Sequence, residues 1–588
     1  MIPPMSNPKR FVSAAVCFCL AWLSGCGGGG DSTPDPSTGT LEAGRVSGLH
    51  FETPTQSGTT DANGTFAYLP GETVAFSIGG VQLGAAPGVA KISLFTLAGL
   101  TPPSTERVLR RELERATRSA TPLVRAMNLA RLLIALDVDS NPDNGIDLRG
   151  RESDLAGKQI DLGLGLNAFT DKLDRLAPNL TRNIPAARTL LFAYQASSLS
   201  VATHAPARYE VSPASSFALS STITYFPNGA RASEQPDPSM SGFNFSTITY
   251  TWDPLGRPLT TNFETRLEPA QIYSASLYIN IYDARGNQVE TVFEQRLLGT
   301  LAWRTAYGGA ADGLGRIPVW TSTVDFNGDG VNDYTDIRRS TFDARGNALA
   351  STTSSDTNGD GVVDFRSSFV DTFDANDRLL TEIYETDSNV DGVADQRNTI
   401  TLENAGPNVV VRTELVDVDA DGVADHRLTW RQEIDRARNE NVASIVTVHL
   451  PDGRLESDTE YIMTYDHDNR LLTRVVTDDY DGDGIVNRSE SSAYEYDGEG
   501  SLISATFEQA DTFFGNSTRS STHYSYGADG ERTASVTRTD SDADGVFDNE
   551  ITTQITNQEF SDGVLALAQQ YFNFAASTVL VGGGAAST

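Results

Sequence analysis

Six nine-residue segments place oxygen-bearing side chains at a spacing that suits a cation. They are DFNGDGVND from Asp325, DTNGDGVVD from Asp356, DSNVDGVAD from Asp387, DVDADGVAD from Asp417, DYDGDGIVN from Asp479 and DSDADGVFD from Asp540. Positions 1, 3, 5 and 9 of the first three supply Asp325, Asn327, Asp329 and Asp333, then Asp356, Asn358, Asp360 and Asp364, then Asp387, Asn389, Asp391 and Asp395. The other three supply Asp417, Asp419, Asp421 and Asp425, then Asp479, Asp481, Asp483 and Asn487, then Asp540, Asp542, Asp544 and Asp548. Ca²⁺ takes six to eight such oxygens, and the glycine at position 6 of every copy permits the sharp turn that brings alternate side chains inward. Position 12, which must be a bidentate glutamate in an EF-hand, is acidic only as Asp336 and Glu490; Ser367, Asn398, Leu428 and Ile551 stand there otherwise. Asp, Asn and Gly are also ordinary turn residues. The copies, however, start 31, 31, 30, 62 and 61 residues apart, and a register with two doubled steps marks a repeat architecture.

A second signal falls midway between the loops. Trp252-Asp253, Tyr282-Asp283, Phe342-Asp343, Phe373-Asp374, Tyr465-Asp466 and Tyr496-Asp497 are each followed within a few residues by Gly, Arg or both, and Asp312 and Asp435 continue the pitch. The nine-residue segments resemble the calcium loops of thrombospondin type 3 and dockerin repeats. The aromatic-Asp pattern resembles the YD repeats of the RHS family over roughly residues 220–560, and that resemblance implies a long antiparallel strip of hairpins. Alternation in Leu428, Trp430, Gln432 and Ile434, and in Tyr461, Met463 and Tyr465, is independently the period of a strand with one buried face. Each unit then reads as cation loop, strand, YD-type turn, strand, with all cation loops at one edge of the sheet and all YD turns at the other. Equivalent loops fall two strands, about 10 Å, apart.

The expected fold is mainly β: an antiparallel repeat sheet of hairpin units over 201–563, as a solenoid, an open strip or a shell, followed by a tail at 564–588. An integrin-like β-propeller is the runner-up, but the pitch is half a typical blade. Before the repeats, 41–95 reads as a small β-sandwich module, with Asp61-Ala62-Asn63-Gly64 and Pro70-Gly71 as turns, and it resembles spacer modules of the carboxypeptidase-regulatory kind. Residues 96–200 read as a small helical bundle, with one helix capped by Thr121 and begun by Pro122. Asp137, Asp139, Asn141, Asp143 and Asp147 follow that helix as a seventh cation site or a simple acidic helix-ending loop.

The chain opens with Lys9 and Arg10 before an apolar run from Phe11 to Trp22, a secretory leader rather than a membrane span. Leu23-Ser24-Gly25-Cys26 resembles a bacterial lipobox, which implies diacylation of Cys26, anchorage in the outer membrane and an exposed or periplasmic body. Residues 26–40 read as a tether. The other cysteines, Cys17 and Cys19, leave with the leader, so no disulfide staples the body and bound metal is the candidate constraint. Losing Lys9 and Arg10 takes the formal charge from −34 to −36, which excludes nucleic acid as a partner. Six Ca²⁺ ions would bring it to −24.

No HExxH, GxSxG or P-loop occurs, and the six histidines are scattered, so no enzyme is expected. The expected function is a calcium-stabilised envelope lipoprotein serving as a structural or adhesion-type module for a glycan or protein ligand. The alternatives are an RHS-like shell or toxin-delivery component, and a polysaccharide-active enzyme.

Overall fold

The computed structural model describes residues 35–572, apart from short segments at 43, 140, 178–179, 181–182, 213–219, 237–244, 269–270, 314, 376–377, 407, 436–439 and 513–514. The leader, Cys26 and most of the proposed tether lie outside the described residues; the end of the tether is a strand, Ser37–Glu42.

The repeats form a meander of twenty-four antiparallel strands, from Thr203–Ser212 to Asn549–Phe560. The open strip and the solenoid are overturned, because the first strand pairs with the last from Thr203↔Phe560 to Ser212↔Thr552, and the sheet is a closed barrel. Closure removes both sheet edges, which would otherwise template pairing with other chains. Curvature is built into most of the units. The register slips just before the aromatic of the YD pattern, between Thr251 and Trp252, Ile281 and Tyr282, Thr341 and Phe342, Thr372 and Phe373, Thr464 and Tyr465, and Glu495 and Tyr496. A β-bulge bends its strand, and bulges repeated at one height bend the sheet the same way in each hairpin that carries one.

The aromatic-Asp turns also join hairpin to hairpin. The Tyr496 hydroxyl donates to the Leu471 carbonyl at 3.0 Å, Tyr526 to Leu502 at 2.7 Å and Tyr225 to Pro206 at 2.8 Å, in each case one hairpin back. Arg470 is held by Asp466, Nε to Oδ2 at 2.6 Å, and its guanidinium lies 4.9 Å from the centre of the Tyr496 ring. Arg257 over Tyr282 and Arg316 over Phe342 repeat the arrangement. In these three turns an arginine serves its neighbour's ring, a cation–π contact tied by an ion pair.

Seven helices are described: α1 Leu94–Ala98, α2 Glu106–Ala116, α3 Pro122–Leu136, α4 Glu152–Leu155, α5 Leu166–Leu176, α6 Ala186–Ala196 and α7 Val564–Phe572. Thr121 accepts from the Val124 amide and caps α3, and Pro122 begins it. Nearly all of α3 is buried, so it is the central helix rather than an amphipathic one. The module at 41–95 consists of a three-stranded and a four-stranded sheet, and it shares one core with the helices: Phe66, Phe76, Phe95, Leu129 and Tyr194 belong to a single buried cluster. The expected C-terminal tail begins instead as α7, whose Val564, Leu565, Leu567 and Ala568 enter that same cluster.

This unit caps the end of the barrel that carries the YD turns. Asn183 donates to the carbonyl of Gly286, Ala566 lies against Gly229, and Arg107 reaches the carbonyls of Gly527 and Ala528 and the carboxylate of Glu499. These turns run round about half the rim, so the cap lies across the mouth. Leu567→Ala should cost the cap about 2–5 kcal/mol, the usual price of a cavity at a fully buried leucine. Hydrogen exchange should show that loss in α3 and α6; exchange unchanged there would mean α7 is only a tail.

Candidate functional site

All six acidic loops stand at the rim opposite the cap. Each joins two strands of a hairpin: Val319–Asp325 to Tyr334–Phe342 for the first, Arg532–Asp540 to Asn549–Phe560 for the last. Two connections at the same rim, His449 to Leu455 and Asp511 to Asn516, lack the acidic pattern.

The loops share one internal geometry. The position 1 carboxylate faces inward: Asp325 accepts from the amides of Asn327, Gly328 and Gly330, Asp356 from Gly359 and Gly361, and Asp479 from Gly482 and Gly484. Asp387, Asp417 and Asp540 accept from Gly392, Gly422 and Gly545 in the same way. Position 9 closes the loop on the amide of position 2, as Asp333 does with Phe326 and Asn487 with Tyr480. Asp364, Asp395, Asp425 and Asp548 repeat that bond with Thr357, Ser388, Val418 and Ser541. Asn327, Asp329, Asn358, Asp360, Asn389 and Asp391 each accept from the amide two residues on. Burial works against ionisation of Asp325 and Asp479, but the loop amides outweigh it and hold both carboxyls below the usual aspartate range. They remain anionic at neutral pH.

Three loops bring three carboxylates within 4.8 Å of one another: Asp417, Asp419 and Asp425; Asp479, Asp481 and Asp483; Asp540, Asp542 and Asp544. The donor set is all oxygen, which fits a hard cation and no soft one. Asp421 adds its carboxylate in the fourth loop, accepting from the Val423 amide. The residues at position 12 serve elsewhere: Asp336 accepts from the Tyr334 hydroxyl and Glu490 pairs with Arg488 and Arg474. The candidate seventh loop differs in kind. Arg188 pairs with Asp143, and Arg149 with Asp147, so guanidinium groups meet two of its carboxylates. Asp137 is buried, which pushes its carboxyl up to about 6, with its oxygens accepting from the amides of Asn141 and Asp147.

Position 4 of every loop lies in the left-handed region. Glycine fills it in three loops, but Val390, Ala420 and Ala543 hold φ of 59°, 54° and 54°. That conformation costs an L-residue roughly 1–2 kcal/mol, more for a β-branched one.

Sequence reasoning passed over the capped mouth. A cavity of about 780 Å³ lies between α2, α7 and the wall, where Tyr209, Ile223, Ile248 and Ile555 face it. With the cap across the mouth, these side chains belong to the lumen face, and the strand registers carry that face round the barrel to Phe263, Tyr278, Phe293, Trp303 and Trp430. The other face bears ion pairs such as Arg266–Glu264, Arg296–Glu294, Arg397–Glu385 and Arg538–Glu550. The sequence reading gave the arginines of α2 no role; Arg107, Arg110, Arg111 and Arg115 at helical spacing were the signal.

The joint between cap and wall is ionic. Glu106, buried at the start of α2, takes His204 Nδ1 at 2.6 Å, and Arg110 donates to the His204 carbonyl. Burial opposes protonation of His204, but Glu106, with Glu531 and Asp529 beyond it, outweighs burial and raises the pKa above the ordinary 6.5.

No protein-family model matches the sequence, and no curated protein matches it. Among solved structures, the chain is similar to a porin-like protein from Bacteroides uniformis, at 10% identity and a TM-score of 0.20, over 51% of this chain and 96% of that one. It is similar to the Tc holotoxin pore of Photorhabdus luminescens at 11% identity and a TM-score of 0.12, over 56% of this chain and 27% of that one. For the TcdB2-TccC3-Cdc42 complex the values are 12% and 0.12, over 60% and 26%. The chain spans about a quarter of the length of the two toxin chains. Likenesses this weak leave the role of the barrel to its own geometry.

Two outcomes follow. Val390→Gly should raise stability by about 1 kcal/mol by relieving the left-handed strain, and a thermal midpoint that falls would contradict it. Because the folded pKa of His204 is raised, its pair with Glu106 contributes fully below pH 6.5 and is lost as pH rises through the folded value. The cap should therefore loosen above that value in the native chain but show no such step in His204→Gln, as followed by exchange of the α2 amides.

Proposed function

We propose that this chain is a calcium-stiffened hollow β shell of the bacterial cell envelope, acting as a structural or ligand-enclosing module. The observation that carries the reading is the row of loops at one rim with a single repeated oxygen geometry, half of them gathering three carboxylates within 4.8 Å. Twenty aspartates stand in these loops, and neighbouring loops lie within about one Debye length, so the rim repels itself until counter-charge arrives. Asp325, Asp417, Asp479 and Asp540 would anchor the ions, with positions 3, 5 and 9 completing each shell. Bound calcium supplies charge neutralisation and cross-linking of each hairpin end, not chemistry.

The wall chemistry supports a shell that stands in water. A lipid-facing barrel needs an apolar outer band about 25 Å tall, whereas ion pairs interrupt the outer face here. Attachment then falls to the lipid that the lipobox-like sequence would place on Cys26. Closure of the ring favours the enclosing form of this reading over a flat adhesive strip. Nothing in the loops or the cavity sets up a nucleophile with its base, and an enzyme is not proposed.

The test is thermal unfolding of the mature chain by circular dichroism, with calcium and with chelator. One site kept at a hundred times its Kd adds about 2.7 kcal/mol, so several should raise the midpoint steeply. Asp479→Asn should remove part of that rise while leaving the chelated midpoint nearly unchanged. Equal midpoints with and without calcium would sink the proposal.

A further inference from the structure

We propose that the cavity beneath the cap binds a small anionic molecule bearing a ring, and that an acidic saccharide is the class that fits its two kinds of wall. The inference rests on the capped mouth alone and stands whether or not the rim loops hold calcium. In a chain of formal charge −34, this cavity is lined by six arginines against four carboxylates. Arg107, Arg110 and Arg111 come from α2, Arg118 from the turn that follows it, and Arg231 and Arg532 from the wall.

Some of these arginines are already engaged. Arg110 pairs with Glu106 at 2.6 Å and Arg118 with Glu114 at 2.7 Å. Others are not. Arg532 meets no carboxylate within ion-pair distance among the described residues and lies 5.5 Å from the Tyr524 ring. Arg231 pairs with Glu234 at 2.5 Å, yet its Nε is buried without a partner. Beside it, Tyr250 is 3% exposed, lines the cavity, and has a buried hydroxyl with no hydrogen-bond partner. A buried donor left unpaired carries its full desolvation cost. An acceptor oxygen entering the cavity would satisfy the hydroxyl and the guanidinium together.

The ring requirement comes from the floor. Tyr250 and Trp252 stack at 6.2 Å and 25° and both line the cavity. Flat apolar faces next to planar guanidinium forks suit a molecule with a C–H face and a carboxylate, because the forks take carboxylates in bidentate fashion. A bare inorganic anion would leave the aromatic floor uncovered, and a neutral sugar would leave Arg532 without a carboxylate. The volume, about 780 Å³, is ordinary for a small-molecule site.

Titration calorimetry of the mature chain with digalacturonate, with neutral digalactose and with inorganic phosphate tests the assignment. Digalacturonate is expected to bind one-to-one and at least about tenfold more tightly than either control. Arg532→Gln should weaken it about tenfold, and Tyr250→Phe about fivefold. Tyr250→Phe should also leave the thermal midpoint unchanged or higher, since it deletes an unpaired buried group, so a loss of affinity without a loss of stability separates binding from structure. Equal affinity for digalactose or for phosphate overturns the proposal, as does binding indifferent to both substitutions, or no binding of any of the three probes.

Discussion

The pairing of the first barrel strand with the last is the constraint on which the rest of the molecule depends. Thr203–Ser212 and Asn549–Phe560 meet over nine register positions, and closing the ring there fixes the rotation of every hairpin between them. A closed ring has a lumen and an outer wall, and only then do the two faces of each strand acquire different roles. The bulge before each YD aromatic supplies the bend, and the arginine of one turn beneath the ring of the next keeps neighbouring bends in step. Strain introduced at one hairpin must be absorbed by all of them.

The two rims solve opposite electrostatic problems. At the capped rim, several turns pair an arginine with the aspartate of the same turn, as Arg257 and Asp253, Arg316 and Asp312, and Arg470 and Asp466 do. At the other rim the carboxylates have mostly backbone amides for partners, and those amides keep Asp325 and Asp479 ionised. The protein therefore concentrates unneutralised charge where its strands end freely and removes it where the cap docks. The Glu106–His204–Arg110 joint extends the second pattern into the cap.

Much of this was legible in the residues. Thr121 and Pro122 announce α3, and the alternating acidic loops and aromatic-Asp turns give the order of the meander and the end at which each turn stands, because a two-residue side-chain period and a fixed pitch leave little freedom. Closure was not legible. It pairs strands some 350 residues apart, and neither carries a motif for the other. The lumen face was hidden for a related reason: polar and aromatic residues occur on both faces, so alternation at Trp430 or Tyr461 shows that a strand has two sides but not which one curves inward. Helix α7 was missed although VLALAQQYF has an apolar face, because it follows the last repeat and its partners lie in the cap. Closure and α7 both depend on contacts long in sequence.

That placement of α7 orders events in time. The cap core contains Phe66, Leu129 and Val564 together, so it cannot be completed while the chain between them is still being made. During synthesis the first two hundred residues wait with an uncovered apolar face until the last strand has been added. Only a ring that has come round to the correct final strand delivers α7 to that face. Completion of the cap core therefore depends on closure of the ring, and a barrel that had lost or gained a hairpin would present α7 at a different point of the rim.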